Sequence, residues 1–290
     1  MVRANNAIIL AAGYSSRFVP LCFDIPKGLL LVKGETLIER QIRQLKDIGM
    51  NEIYVVTGAY AEQFQILKKK HNVELIFNKD YAVKNNFSSI YVAKDILSNS
   101  IISSSDLYFP ENIFQNQAEH SYYLSVFIEG KTNQRTLTLD KDSKIIKTNY
   151  GGENCWITFG GQAFFTDDLS KKLIKYIMPV YDNKNYSNKY WVDFQDEHLE
   201  DMPMWIKKTK KENIVEFNTL EALRNFDKDF SAIKQSKTMK YLCTKLNAQE
   251  NELYNFKPIK ECNSAIGCTF KFDNKIFKYN NNTKQIEELK

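Results

Sequence analysis

The chain has 290 residues, 43% of them hydrophobic, and a formal net charge of +5 from 40 Lys and Arg against 35 Asp and Glu. That composition supports a sizeable core and argues against disorder, and the length suits one α/β enzyme domain with a short appendage. The charges are spread along the whole length, so no basic stripe points to nucleic acid, and no run of roughly eighteen apolar residues points to membrane insertion.

Five cysteines (Cys22, Cys155, Cys243, Cys262, Cys268) form no C-x-x-C pair and have no companion histidine cluster, which argues against a zinc site and a disulfide framework. The first six residues lack the apolar stretch of a signal peptide, so a cytoplasmic location is expected.

Residues 7–12 are a short apolar run ending at Gly13, the pattern of a buried parallel strand. The helical period predicts a helix over 36–50, with Leu37, Ile38, Ile42, Leu45 and Ile48 on one face and Gly49 as its stop. A strand over 52–57, a helix over 61–71, a strand over 73–77, a helix over 88–97 and a strand over 101–105 follow. Alternating strands and helices predict a parallel sheet with helices on its faces.

After Asp106 the pattern turns to short alternating strands, 122–128, 135–139 and 144–148, with Gly151-Gly152 as a breaker and 156–165 as the next strand. A helix over 169–178, extended stretches at 205–210 and 214–217, and a helix over 220–226 complete a main domain, 1–235. Residues 236–290 are a small appendage with a helix over 239–246 and a hairpin, 269–272 with 275–278, turning at Asp273-Asn274.

The stretch Leu10-Ala11-Ala12-Gly13-Tyr14-Ser15-Ser16-Arg17-Phe18 carries the chemistry. Small residues after a buried strand let backbone amides approach a triphosphate, with Gly13 as the permissive position in the turn. Arg17 adds a fork of fixed donors. The glycine and alanines alone would read as an ordinary strand-turn-helix, and neither the P-loop nor the dinucleotide pattern is complete. Arg17 and Lys27, the latter set between Pro26 and Gly28, tip the reading toward phosphate binding and stabilisation of charge during nucleotidyl transfer.

Ile8-Ile9-Leu10-Ala11-Ala12-Gly13-x-Ser15-x-Arg17-Phe18 followed by Pro26-Lys27 resembles the signature of the nucleotide-sugar pyrophosphorylase superfamily. Asn85-Asn86-Phe87-Ser88-Ser89-Ile90-Tyr91, Ser104-Ser105-Asp106-x-Tyr108-Phe109, Tyr190-Trp191-x-Asp193, Pro203-Met204 and Glu216-Phe217-x-Thr219-Leu220 are similar to bacterial CTP:phosphocholine cytidylyltransferases. The likeness covers about residues 7–230.

It implies a Rossmann-like nucleotidyltransferase fold with an antiparallel acceptor-binding insertion. CTP is expected over Leu10, Ala11, Ala12 and Gly13, with Arg17 and Lys27 on its phosphates. Asn86, Ser88 and Ser89 would lie near the nucleotide, and Thr57-Gly58 near its base. Magnesium is the expected metal: Asp106 ends a predicted parallel strand, where ligands bind in open α/β sheets, and the family pattern adds Glu216 and position 218.

That pattern has an acid at 218 and this chain has Asn218, which offers a carbonyl without charge. A weakened, nucleotide-binding pseudoenzyme is therefore one alternative to a phosphocholine cytidylyltransferase. Transfer to another small phosphate, phosphonate or sugar-1-phosphate is the other.

For a quaternary ammonium, aromatic faces backed by a carboxylate are the suitable chemistry. Tyr190, Trp191 and Asp193 come from the resemblance, and Tyr150 and Trp156 from their place after the sheet. A homodimer is compatible with the sequence. Residues 238–290 follow the rhythm of the opening of a bacterial choline-kinase-like domain: Leu242-Cys243 with Leu246-Asn247, Phe256-Lys257-Pro258-Ile259-Lys260, Phe270-Lys271-Phe272 and Lys275-Ile276-Phe277. That segment stops before any catalytic loop. It is expected either to belong to a longer fusion or to be a remnant packed on the main domain or a second subunit.

Overall fold

The computed structural model describes residues 1–289, and at 159 and 160 the backbone alone. The chain divides into two compact units, Met1–Ala12 with Arg40–Glu216, and Gly13–Glu39 with Phe217–Lys290. Residues 236–289 thus fall in the second unit, with the loop that follows the first strand.

The first unit is built on a sheet of β1 (Asn6–Ala11), β2 (Ile53–Thr57), β3 (Glu74–Phe77), β4 (Ser100–Ser104), β5 (Tyr122–Leu139), β6 (Ile145–Phe165) and β7 (Trp205–Lys208). Their order across the sheet is β7-β5-β6-β4-β1-β2-β3. β1 runs parallel to β2 and β4, and β3 continues the parallel set. β6 enters antiparallel to β4 and pairs antiparallel with β5, while β7 is parallel to β5. The mixed, mostly parallel sheet matches the α/β expectation. A central parallel strand is covered on both faces, so all six residues of β1 are buried and show no alternation.

On one face Ile8, Leu10, Val56 and Ile102 form a core with Phe87 and Ile90 of α3 (Phe87–Val92), Leu173 and Ile177 of α4 (Asp167–Val180), and Trp191 and Phe194 of α5 (Trp191–Asp196). Ser103, the neighbour of Ile102 and so directed to the opposite face, donates to Gln41 Oε1 of α1 (Leu37–Asp47) at 2.6 Å. Ile38, Ile42 and Leu45 of α1, and Leu67 of α2 (Gln65–His71), are fully buried. The helix ends with Gly49 in the left-handed region (φ 79°), its N–H on the Lys46 carbonyl and the Met50 N–H on the Leu45 carbonyl, a termination that glycine makes easy.

Two expectations shift. The helix placed at 88–97 is α3, ending at Val92, and the remainder is a run of turns. The short strands after Asp106 are continuous: β5 and β6 form one long antiparallel ribbon that passes through Gly151 (φ 80°) and Gly152. Register shifts between Ile128 and Lys131 and between Thr132 and Arg135 absorb the extra residues as bulges, so polar turn-like residues do not end the strands.

In the second unit, α6 (Leu220–Phe226), α7 (Ala232–Gln235) and α8 (Lys237–Leu246) precede an antiparallel sheet of β8 (Tyr254–Glu261), β9 (Ser264–Phe272), β10 (Lys275–Asn280) and β11 (Ile286–Leu289), in that order. The hairpin turns where expected, with Phe272 opposite Lys275 and both Asp273 and Asn274 left-handed (φ 47° and 59°). β8 and β11 were not legible because their sequences are largely polar. Among the described residues, no helix is long and apolar enough to cross a membrane.

Candidate functional site

In the first unit, chemistry gathers at the C-terminal end of β1, as expected for an open α/β sheet. Ala11 lies opposite Thr57, and the Ala12 carbonyl accepts the Ala59 N–H at 3.0 Å. A Cβ at Gly58 would stand 2.6 Å from both the Ala12 carbonyl oxygen and Tyr81 Cβ, so only glycine fits there. Leu10, Ala11 and Ala12 therefore share this strand end with Thr57 and Gly58. The Thr57 hydroxyl is turned inward, donating to the Ile76 carbonyl at 3.4 Å.

On the other flank the Ser105 N–H donates to the Leu10 carbonyl at 3.0 Å, and the Ser104 hydroxyl donates to Asp106 Oδ1 at 2.7 Å. Leu107–Tyr108 then pairs antiparallel with Val215–Glu216, with Glu216 opposite Leu107. Asp106 thus lies in the turn immediately before the strand whose Leu107 pairs with Glu216, and that ladder spans more than a hundred residues of sequence. Among the described residues no group of three or more His, Cys, Asp or Glu could hold a metal. Two carboxylates suit magnesium, which keeps several waters and takes substrate phosphates as further ligands.

Asn86, Ser88 and Ser89 are less open than expected. Ser88 and Ser89 are buried, with both hydroxyls accepting from Asn78 Nδ2 (2.8 and 3.2 Å), and the Asn78 N–H itself donates to the Thr57 carbonyl at 2.8 Å. Asn86 Oδ1 accepts the Trp191 N–H at 3.0 Å, at the start of α5. These side chains tie α3 to the residue that follows β3 and to the start of α5. Asn78 was missed because one asparagine after a strand has no pattern of its own.

The acceptor-side residues separate into open and closed. Tyr150 is 67% exposed, and its hydroxyl donates to Asp193 Oδ1 at 3.0 Å. Tyr190, 49% exposed, precedes α5, and Asp193 lies in the first turn of that helix. Trp191 is 1% exposed, packed on Tyr123 and Phe165 (centroids 5.7 and 5.3 Å), so it is a core residue and not an open wall. Trp156 packs edge-on against Phe127, with Lys208 Nζ 5.3 Å from its ring. Neither tryptophan presents the cage wall expected of it, because apolar packing has claimed Trp191 and a cation already stands over Trp156. Partial burial and then the Asp193 carboxylate push the Tyr150 phenol up to about 12, which keeps it a donor.

Behind Asp193 lies a buried network that the sequence did not reveal. Arg135, 5% exposed, donates through Nε (2.8 Å) and Nη2 to the Asp196 carboxylate, which also accepts the Thr148 hydroxyl at 2.8 Å. The Tyr123 hydroxyl donates to Gln195 Oε1 at 2.8 Å. Arg135 also stacks over the Tyr123 ring at 4.9 Å. The available signal was the i,i+3 spacing of Asp193 and Asp196, which sets two carboxylates on neighbouring positions of one helix.

In the second unit, Gly13 is exposed with open space where a Cβ would stand, and the left-handed residue of the loop is Ser15 (φ 55°). The permissive position is therefore Ser15, while Gly13 keeps the backbone uncovered. Ser16–Phe18 is a single 3-10 turn from which Arg17 is exposed. Lys27 follows the extended Pro26, is 6% exposed, and sets its Nζ 4.8 Å from the Phe18 ring centroid. A lysine that buried is no ordinary surface lysine. Asn218 belongs to this unit and its Oδ1 is shielded from solvent; the next residue, Thr219, caps α6.

Residues 7–122 match the model of the MobA-like NTP transferase domain. Over 225 residues the chain is 32% identical to choline-phosphate cytidylyltransferase of Streptococcus pneumoniae, covering 77% of this chain and 96% of that one. It is also 32% identical over 236 residues to 2-aminoethylphosphonate cytidylyltransferase of Lancefieldella rimae, covering 80% and 96%. Among solved structures, CTP:phosphocholine cytidylyltransferase from Streptococcus pneumoniae superposes with a TM-score of 0.74, over 78% of this chain and 99% of that chain, at 32% identity. The inositol-1-phosphate CTP transferase of T. maritima, at 16% identity and a TM-score of 0.59, shares the fold. With a relative of this identity matched almost end to end and the same nucleotidyltransferase fold, the chain belongs to the bacterial choline-phosphate cytidylyltransferase family of enzymes.

Proposed function

We propose that this enzyme transfers the cytidylyl group of CTP to phosphocholine, releasing pyrophosphate and forming CDP-choline. The observation that carries the choice of acceptor is the Asp193 carboxylate, oriented by the Tyr150 hydroxyl and accompanied by the open ring faces of Tyr150 and Tyr190. Its charge is not consumed by the buried arginine, because Arg135 is committed to Asp196. A carboxylate with aromatic faces suits a quaternary ammonium.

The backbone of 10–13 approaches the triphosphate, with Thr57-Gly58 on the side of the base. Arg17 and Lys27 hold phosphate charge as it shifts toward the leaving pyrophosphate. Asn86, Ser88 and Ser89 brace the nucleotide side through Trp191 and Asn78. Asp106 and Glu216, with Asn218 through its carbonyl, are assigned to magnesium, which when bound neutralises phosphate oxygens and orients the α-phosphate. A phosphocholine oxygen attacks the α-phosphorus in line as the bond to pyrophosphate breaks, so no protein nucleophile takes part.

A second reading, transfer to 2-aminoethylphosphonate, is favoured by the equal identity to the Lancefieldella rimae protein. Pyrophosphate release with CTP, magnesium and a panel of acceptors separates them. Turnover confined to phosphocholine is expected; a preference for 2-aminoethylphosphonate or a sugar-1-phosphate overturns the assignment. Silence with every acceptor despite CTP binding would mark a pseudoenzyme. Asn218→Asp is expected to lower the half-saturating magnesium concentration several-fold, since it adds a charged ligand. An unchanged metal dependence removes position 218 from the metal site.

A further inference from the structure

The solved pneumococcal structure is matched almost completely by 78% of this chain, so about a fifth of the chain has no counterpart there. The segment 236–289 is of that length, and it is bonded to the loop that carries Arg17 and Lys27. Asp24 Oδ2 accepts the Ser236 hydroxyl (2.6 Å) and the Thr238 N–H (2.7 Å), which ties the loop to the start of α8. Phe23 lies against Tyr279 of β10 at 5.9 Å between centroids. At the β8–β9 turn, where Glu261 pairs with Ser264, the Asn263 carbonyl accepts the Ser16 hydroxyl at 2.6 Å.

Ser16 is 8% exposed and immediately precedes Arg17. On the other side of Arg17, Phe18 is 1% exposed beneath the Lys27 ammonium. The arginine is therefore the exposed member of a turn pinned on both sides, and one pin is supplied from 247 residues away in sequence. The β8–β9 turn is itself conformationally specific, since Cys262 is left-handed (φ 51°) and exposed.

We propose that the β8–β9 turn is a positioning element for nucleotide binding: the Asn263 carbonyl, through the Ser16 hydroxyl, holds the Ser16–Phe18 turn in the form that presents Arg17 to the triphosphate. Ser16 and Cys262 are positioning residues, acting through Arg17. The inference rests on the assignment of Arg17 to CTP phosphates.

Steady-state kinetics of the full chain test it. Ser16→Ala removes the hydroxyl that donates to the Asn263 carbonyl and is expected to raise the KM for CTP about five- to tenfold, with the KM for phosphocholine within twofold. Ser16→Thr keeps the hydroxyl and restores the CTP KM. Cys262→Val, whose β-branched side chain resists positive φ, shifts the turn and gives a similar rise, whereas Cys262→Gly does not. The double variant Ser16→Ala with Cys262→Val is expected to be no worse than the poorer single one, because both break one connection.

Simple loss of folded protein would lower apparent kcat and leave both KM values unchanged, which overturns the inference. So does an unchanged CTP KM in Ser16→Ala and Cys262→Val while Arg17→Ala raises it, with the role of Arg17 left standing. Should Arg17→Ala be silent as well, the reading of Arg17 falls and this inference with it.

Discussion

The two units of the chain hold their polar groups in place differently. In the first, a continuous sheet positions the polar residues, and those residues pair with one another: Asn78 with Ser88 and Ser89, Arg135 with Asp196, Tyr150 with Asp193. In the second, a loop of little regular structure, 13–39, is held by residues that follow it by about two hundred positions: Gln235 on Leu31, Asp227 on Lys33, Ser236 on Asp24 and Asn263 on Ser16. Precision in the first unit comes from the strand ladder, and in the second from side-chain hydrogen bonds across long sequence separations. A loop of little regular structure can thus be held in place by hydrogen bonds from distant parts of the chain.

The contrast can be broken first at the buried ion pair. Arg135→Ala strands the Asp196 carboxylate in the interior and is expected to destabilise the protein by about 3–5 kcal/mol, the range for removing one partner of a buried pair. Denaturant unfolding measures this. A loss below about 1 kcal/mol, the worth of a surface pair, would show the network to be wetter than its burial implies. Next is Lys27→Ala, expected to lower kcat/KM by about a hundredfold or more while leaving the unfolding midpoint of the first unit in place, the usual loss for one electrostatic donor. A large fall in stability with normal turnover by the folded fraction would reassign Lys27 to packing on Phe18.

A smaller effect belongs to Asp193→Asn, which keeps the shape and removes the charge. It is expected to raise the KM for phosphocholine about tenfold without moving that for CTP, as loss of one charge-assisted contact would. An equal rise for both substrates would separate Asp193 from the acceptor.

The smallest is spectroscopic. With its folded pKa raised to about 12, the protonated Tyr150 favours the folded state. Its contribution is complete below the ordinary tyrosine value near 10 and fades as pH climbs toward about 12. The absorbance titration of the wild type minus that of Tyr150→Phe should therefore step near 12, and a step near 10 would break the Tyr150–Asp193 bond.

Legibility followed the range of the forces. The apolar run before Gly13 and the alternation of strands and helices announced the sheet, because burial on both faces demands uninterrupted hydrophobic residues. The helical face of Ile38, Ile42 and Leu45 was readable for the same reason. At Gly151-Gly152 the local signal misled, because a bulged ribbon accommodates turn-forming residues within a strand. Trp191 was legible as an aromatic beside an acid but not as a core residue, since chemical type is local and burial is not.

Sequence alone established the α/β architecture and the family likeness, both of which depend on residues close together in the chain. Tertiary structure selected which aromatics stay open beside Asp193, paired Arg135 with Asp196, and brought Asn263 to Ser16. Those pairings depend on chain segments from about sixty to about two hundred and fifty residues apart, and no periodicity records which distant donor will meet which acceptor once the backbone groups must be satisfied.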